Sequence, residues 1–206
     1  YLPHEFLHVA KHSKLYSKLS MSLIQKAFET FQISSSGFSI NLSYLDMTNI
    51  VTTTFIIEKL EEFNVGPWVI FEILESDGIE NYDAVSKFIE KVKSYGAKIA
   101  IDDFGAGYSN FERLAELRVD FIKIDGSLIR NIDKNDEMKI IVRTIVSFAK
   151  ELGIKTIAEY VHSQSVLECV KEIGLDCAQG FYIGKPAPEL GASNTSEFSP
   201  KRIHVL

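Results

Sequence analysis

Lys98-Ile-Ala-Ile-Asp-Asp-Phe-Gly-Ala-Gly-Tyr-Ser109 is the stretch on which the reading of this chain turns. The apolar run Ile99-Ala100-Ile101, bounded by charge, predicts a strand buried on both faces, and it ends in two adjacent carboxylates and a glycine-rich turn. Side chains alternate along a strand, so Asp102 and Asp103 are expected to diverge at its mouth, one towards the interior and one towards the loop. Taken alone, the stretch leaves two readings open. Either one Asp caps the next helix while the other is solvated, or each holds a cation. Gly105 and Gly107 would leave the following loop free to close.

Outward from this strand, the chain alternates. Upstream, a helix begins near Pro3 and a second runs from about Leu19 to Gln32. The alternating run Phe38-Ser-Ile-Asn-Leu42 then predicts a strand, and residues 49 to 63 a helix broken by Gly66-Pro67. Trp68-Val-Ile-Phe-Glu-Ile-Leu74 predicts a buried strand with Glu72 embedded in it, and residues 81 to 95 an amphipathic helix closed by Gly96. Downstream come a short helix over residues 110 to 117, a strand over 119 to 125, and a helix over 137 to 152. That last helix carries an apolar stripe of Ile141, Val142, Ile145, Ala149 and Leu152. Ile154 to Glu159 is a further strand, Ser165 to Ile173 a helix and Asp176 to Tyr182 the last strand; residues 191 to 206 read as a polar tail after a domain over 1 to 190.

Six alternations of strand and helix predict an α/β fold, a parallel sheet with helical crossovers. Near the C-terminal end of every strand stands a strongly polar residue: Asn41, Glu72, Asp102 with Asp103, Lys123 with Asp125, Glu159 and Gln179. A doubly wound sheet gathers its site at one switch point, whereas a barrel converges all its strand ends on one mouth. The expectation is therefore a TIM-like (β/α) barrel, N-terminally incomplete as given, with two strands upstream of Tyr1.

Composition narrows the partners. The 206 residues carry a formal charge of −6, which argues against a nucleic-acid polymer. A small phosphorylated ligand stays compatible, because bound divalent cations can supply the positive charge. The two cysteines, Cys169 and Cys177, form no C-x-x-C pair or disulfide framework, so a reducing, cytoplasmic location is expected. No run approaches the roughly 18 apolar residues of a membrane span.

Each strand-end residue has a plain explanation by itself: Glu72 could pair with a buried lysine, Asn41 could cap a helix, and Gln179 could satisfy a loop carbonyl. Several carboxylates around one mouth are unfavourable, however, unless cations neutralise them. The candidate ligands are all oxygens, which suits Mg²⁺, Mn²⁺ or Ca²⁺. Paired acids at Asp102 and Asp103 could bridge two ions about 4 Å apart, as in phosphodiester cleavage, with Lys123 on a phosphate or the nucleophilic water.

In order, Asn41-Leu-Ser43, Phe71-Glu-Ile-Leu-Glu-Ser76, Asp102 to Ser109, Lys123-Ile-Asp125, Ala158-Glu159 and Gln179-Gly-Phe181 resemble the EAL domain family of cyclic di-GMP phosphodiesterases and their inactive relatives. The resemblance implies an eight-stranded barrel that opens cyclic di-GMP to linear pGpG with two ions, Mg²⁺ or Mn²⁺. By motif position it implies metal ligation by Asn41, Glu72, Asp102, Asp103 and Glu159. Lys123 and Gln179 join Glu159 as catalytic residues, and Glu75 anchors the loop from Phe104 to Ser109. It also implies a homodimer and an upstream sensory or GGDEF-type domain. The alternative is a catalytically inactive member that binds cyclic di-GMP or a protein partner.

Departures from the family pattern are specific. The Glu-Ala-Leu motif is absent and is expected upstream of Tyr1. Tyr160 and His162 stand where the family usually has Gly and Glu, and Leu74 and Ala106 replace threonines. A competing motif, His4-Glu-Phe-Leu-His8 with His12, has zinc-protease spacing but lacks an upstream strand and a following glycine turn. It reads as a partly solvated histidine face. Asn194-Thr-Ser196 fits a glycosylation sequon that an intracellular chain would not use.

Overall fold

The computed structural model describes residues 15–33, 36–75, 81–107, 111–186 and 204–205. Helix α1 (Tyr16–Phe31) leads to strand β1 (Phe38–Leu42), helix α2 (Tyr44–Thr48) and helix α3 (Ile50–Phe63). A 3-10 turn at Gly66–Trp68 precedes β2 (Val69–Leu74), α4 (Tyr82–Ser94) and β3 (Lys98–Phe104). Next come α5 (Phe111–Leu117), β4 (Phe121–Ile124), α6 (Gly126–Ile129) and α7 (Asp136–Glu151). The order closes with β5 (Lys155–Ala158), α8 (Gln164–Ile173), β6 (Cys177–Ala178) and β7 (His204–Val205).

Most expected elements are present, with instructive exceptions. A capping box between Ser43 and Asp46 starts the unanticipated α2, and Asn49 ends it while its side chain accepts from the Val51 and Thr52 amides at the head of α3. Helix α6 was also unanticipated, because only Asp125 announces it: its carboxylate accepts from Ser127 N at 2.8 Å. The last strand shrinks to two residues, since the Ile183 and Gly184 amides both turn back onto the Gly180 carbonyl. Residues 204–205, read from the sequence as tail, pair in parallel with β1. The His4-to-His12 motif, most of the tail and the sequon lie outside the described residues.

The chain divides into two compact units, residues 1–71 with 77–98 and 203–206, and residues 72–76 with 99–202. In the first, α1 buries Ile24, Ala27, Phe28 and Phe31, the i, i+3, i+4, i+7 stripe of an amphipathic helix. Phe31 stacks on Phe38 of β1 with 4.3 Å between ring centroids, and Phe28 meets the same ring edge-on at 6.1 Å. Tyr16 Oη shares its proton between Ser43 Oγ and Asp46 Oδ2, at 3.0 and 3.1 Å, which ties the start of α1 to the cap of α2.

In the second unit, β3, β4, β5 and β6 run parallel, each beside its chain predecessor. This consecutive order is that of a singly wound barrel, without the reversal that defines a doubly wound sheet. Two carboxylates hold the strand starts. Asp120 Oδ2 accepts from Ile99 N, and Asp176 Oδ2 accepts from Thr156 N and Oγ1, all at 2.9 Å. Helix α7 buries Val142, Ile145, Val146 and Ala149, while Ile141 and Leu152 are exposed. The packed stripe is therefore rotated from the expected one, because Val146 faces inward. Phe111 bridges Phe104 and Phe148 edge-on, at 5.4 and 4.7 Å.

Gly105 is constrained rather than free to flex. Its φ is +96°, and a Cβ there would lie 2.5 Å from Leu128 Cδ1. Gly105→Ala is expected to lower stability by about 1–3 kcal/mol through backbone strain and displacement of Leu128. Denaturant titration checks this, and an unchanged midpoint would refute it.

Candidate functional site

The site grows from an irregularity in β3. Its pairing with β4 shifts between Ile101 and Phe104, and Asp103 adopts a left-handed backbone with φ +55°. Such a kink re-aims a side chain that regular alternation would send elsewhere. The expected divergence of Asp102 and Asp103 is thereby corrected. Asp102, Asp103 and Glu159 each offer a carboxylate oxygen within 4.8 Å of the other two. Aspartate tolerates this backbone better than most residues, so the strain is about 1 kcal/mol.

Lys123, from β4, lies among the acids. Its Nζ is 2.7 Å from Asp102 Oδ1, 2.9 Å from Glu159 Oε1 and 3.0 Å from Glu72 Oε2. An ammonium has three protons, enough for one towards each carboxylate. Lys123 and Glu72 are 3% and 1% exposed, so the plain reading of Glu72 as partner to a buried lysine holds, with two further acids on the same cation. Burial opposes the ammonium charge, but the field of Glu72, Glu159 and Asp102 outweighs it and holds the lysine pKa above its ordinary value.

The carboxylates are less well balanced. Burial raises the Asp103 pKa first, and repulsion from Asp102 and Asp125 adds to it against the pull of Lys123. Burial likewise raises Glu159, and Lys123 only partly offsets it. Glu72, Asp102, Asp103 and Glu159 thus surround one ammonium, which leaves an excess of negative charge. Hard oxygen donors in excess of their counter-charge fit a divalent cation such as Mg²⁺, Mn²⁺ or Ca²⁺.

The remaining sequence-derived residues have distinct places. Glu75 Oε2 accepts from Gly105 N and the Glu75 amide donates to the Asp102 carbonyl, both at 3.1 Å, so Glu75 anchors the turn after β3. Gln179 is half-buried, and its backbone bonds to Ala158 and Val161 on either side of Glu159 and Tyr160. Asn41 is an exposed residue of β1 in the first unit.

Sequence reasoning missed a cavity of about 580 Å³ that reaches Glu159 and is lined by Asp125, Ser127, Arg130, Asn131 and Tyr160. Most of these residues belong to α6 and its exit, a four-residue helix too short to leave a periodic signal. The capping Asp125 and the bulky Tyr160 after Glu159 were the only cues.

Comparison with known proteins places this geometry. The EAL domain model matches residues 1–186. The chain is 33% identical over 201 residues to the cyclic di-GMP phosphodiesterase PdeF of Escherichia coli strain K12, covering 95% of this chain and 27% of PdeF. A solved structure of the PaMucR phosphodiesterase with c-di-GMP is 28% identical, with a TM-score of 0.83 over 90% of this chain and 84% of that one. A manganese and cyclic di-GMP complex of Klebsiella pneumoniae BlrP1 is 26% identical, with a TM-score of 0.74 over 82% and 44% of the two chains. The fold class is the α/β, TIM-like barrel type of these EAL domains. The chain spans about a quarter of the length of the curated relatives it matches. Among the described residues, no helix is long and apolar enough to cross a membrane.

Two outcomes follow for the metal-free protein. Lys123→Met leaves Glu72 buried without its cation, and at neutral pH this is expected to cost about 3–5 kcal/mol in denaturant titrations. A variant as stable as the wild type would refute the pairing. The raised Asp103 and Glu159 pKa values mean that the folded state holds these protons more tightly than the unfolded chain. Their contribution to stability is present below the ordinary carboxylate pKa and is lost as pH rises through the raised values. Melting curves in chelator should therefore show a loss on raising the pH that is smaller in Asp103→Asn.

Proposed function

This chain belongs to the EAL domain family, and from that premise we propose that it opens cyclic di-GMP to linear pGpG with two bound divalent cations, Mg²⁺ or Mn²⁺. The carrying observation is the acid cluster of Asp102, Asp103 and Glu159 gathered beside Lys123. A solved relative supports the ligand and the metal, the Klebsiella pneumoniae BlrP1 complex with manganese and cyclic di-GMP.

Asp102, Asp103 and Glu159 would hold the cations, together with Glu72, which also contacts Lys123. For Asn41 the ligand role rests on its motif position. When bound, the ions act as Lewis acids that lower the pKa of water and neutralise phosphoryl charge. Glu159, at the edge of the cluster, would also accept the proton of the attacking water. Lys123, held protonated by its three carboxylates, would fix Asp102 and Glu159 in place as ligands and offset part of their charge. Gln179 orients the water or substrate, and Glu75 fixes the turn that carries Gly105. In the overall reaction water adds to one phosphorus, the bond to the ribose 3′ oxygen breaks, and that oxygen takes up a proton. One ring opening gives a 5′-phosphate and a 3′-hydroxyl.

Residues 1 to 190 form the domain in this reading, and 191 to 206 are a tail whose residues 204–205 pair with β1. The whole protein works in the bacterial cytoplasm, as a homodimer carrying an upstream sensory or GGDEF-type domain. A second reading, a receptor that binds the nucleotide without hydrolysis, draws support from Tyr160, which lines the cavity at Glu159 where the family pattern has Gly.

Calorimetry with MnCl₂ and chromatographic assay of pGpG test the proposal. Asp102→Asn is expected to weaken metal binding about 10- to 100-fold and to reduce turnover at least in proportion. Full-length protein that binds cyclic di-GMP yet yields no pGpG with Mn²⁺ would select the receptor, and protein that does not bind it would defeat both readings.

A further inference from the structure

The chain leaves β1 through a buried polar cluster that the proposed chemistry does not use. Within β1, Ile40 and Leu42 are buried and Asn41 is the exposed residue. Side chains alternate along extended backbone, and Ser43 prolongs that backbone with φ −88° and ψ 163°, so Asn41 and Ser43 share one face. Ser43 is fixed from two sides. Its amide and its hydroxyl both donate to Asp46 Oδ2, at 2.9 and 2.7 Å, while its Oγ accepts from Tyr16 Oη at 3.0 Å. Tyr16, in the first turn of α1, also reaches Asp46 Oδ2 at 3.1 Å, so the three side chains form one closed set of contacts.

This arrangement exceeds what capping α2 requires. A capping box works with its acid in water, yet Asp46 is 2% exposed, Ser43 7% and Tyr16 9%. Burying a carboxylate is costly unless both oxygens are satisfied, and Asp46 Oδ1 is buried with no hydrogen-bond partner among the described residues. Nor does a cation pair with Asp46 among the described residues. A helix of five residues gives too little in return to explain that cost. What the cluster secures is the position of the strand. Tyr16 lies 27 residues from Ser43 in the chain, so its hydroxyl ties the exit of β1 to α1, while Phe28 and Phe31 of the same helix seat on Phe38 at the strand's start. Helix α1 thereby grips β1 at both ends, with Asn41 next to the polar grip.

We propose that Tyr16 and Asp46 are positioning residues for Asn41: by fixing Ser43 they hold the end of β1 so that the Asn41 amide is presented to a divalent cation in one orientation. The inference rests on the metal role given to Asn41 above.

The test is calorimetric titration of the full-length protein with MnCl₂, alongside melting curves. Tyr16→Phe removes one hydroxyl and keeps the ring. It is expected to weaken Mn²⁺ binding about 10-fold, the lower end of the loss when a group that supports a metal ligand is removed. Asn41→Ala should weaken binding at least as far, and adding Tyr16→Phe to it should cost nothing more, because the tyrosine acts through the asparagine. Asp46→Asn, which keeps an acceptor for the Ser43 amide and the Tyr16 hydroxyl, should bind Mn²⁺ as the wild type does. Ser43→Ala breaks the cluster at a second point and should weaken binding as Tyr16→Phe does, which keeps the test open if one of the two folds poorly. A purely structural role would lower the melting temperature of Tyr16→Phe and Ser43→Ala but leave their Kd for Mn²⁺ unchanged, and that result overturns the inference. So does additive weakening in the double variant. Both results leave the phosphodiesterase reading standing, whereas wild-type protein that takes up no Mn²⁺, or Asn41→Ala that binds it undiminished, overturns the metal role of Asn41 and the inference together.

Discussion

One buried ammonium organises the second unit. Lys123 takes its position from β4 and its three partners from β2, β3 and the residue after β5, so the strand ends must stop at matching heights for the contacts of 2.7 to 3.0 Å to form together. A one-residue slip of any of these strands would turn its acid away from the lysine and strand a charge in the interior. The parallel ladder from Phe121↔Lys155 to Ile124↔Ala158 is thus tied to chemistry as well as to backbone hydrogen bonding. Charge at the centre and register at the periphery enforce one another.

The opposite ends of the same strands solve a different problem. Asp120 and Asp176 are also acids at strand termini, but each accepts from a backbone amide of a neighbouring strand. Such carboxylates are satisfied within the fold and act as register pins. Among the described residues no amide donates to the Asp103 carboxylate in compensation, and its neighbours Asp102 and Asp125 repel it. The unit therefore keeps its electrostatic conflict at the strand ends where Asp102, Asp103 and Glu159 gather.

Much of this was readable from residue order, for physical reasons. Apolar runs that end in single polar residues are hard to explain in a buried parallel strand unless those ends converge, and Glu72, Asp102, Asp103, Lys123 and Glu159 do lie in one unit around shared contacts. The pleat itself was misread at Asp103, because a register shift depends on how two strands meet and leaves no mark in the local pattern. Helix α6 went unseen for lack of length, and with it Arg130. Tyr160 was noticed as a departure, yet its left-handed backbone and its seat on Gly126 are tertiary facts. The stripe of α7 was misjudged at Ile141 and Leu152, since periodicity gives the width of an apolar face more reliably than its centre.

The unbalanced acids also bear on how such a domain can change over generations. A neutral residue at Asp103 would relieve repulsion from Asp102 and Asp125 while leaving the three contacts of Lys123 in place. Under the proposed function, loss of catalysis at that position runs downhill in folding stability, so selection for hydrolysis would have to oppose a drift that the fold itself favours. Lineages released from that selection would keep the scaffold and the cavity beside Glu159 intact, which makes the passage from enzyme to receptor a short one.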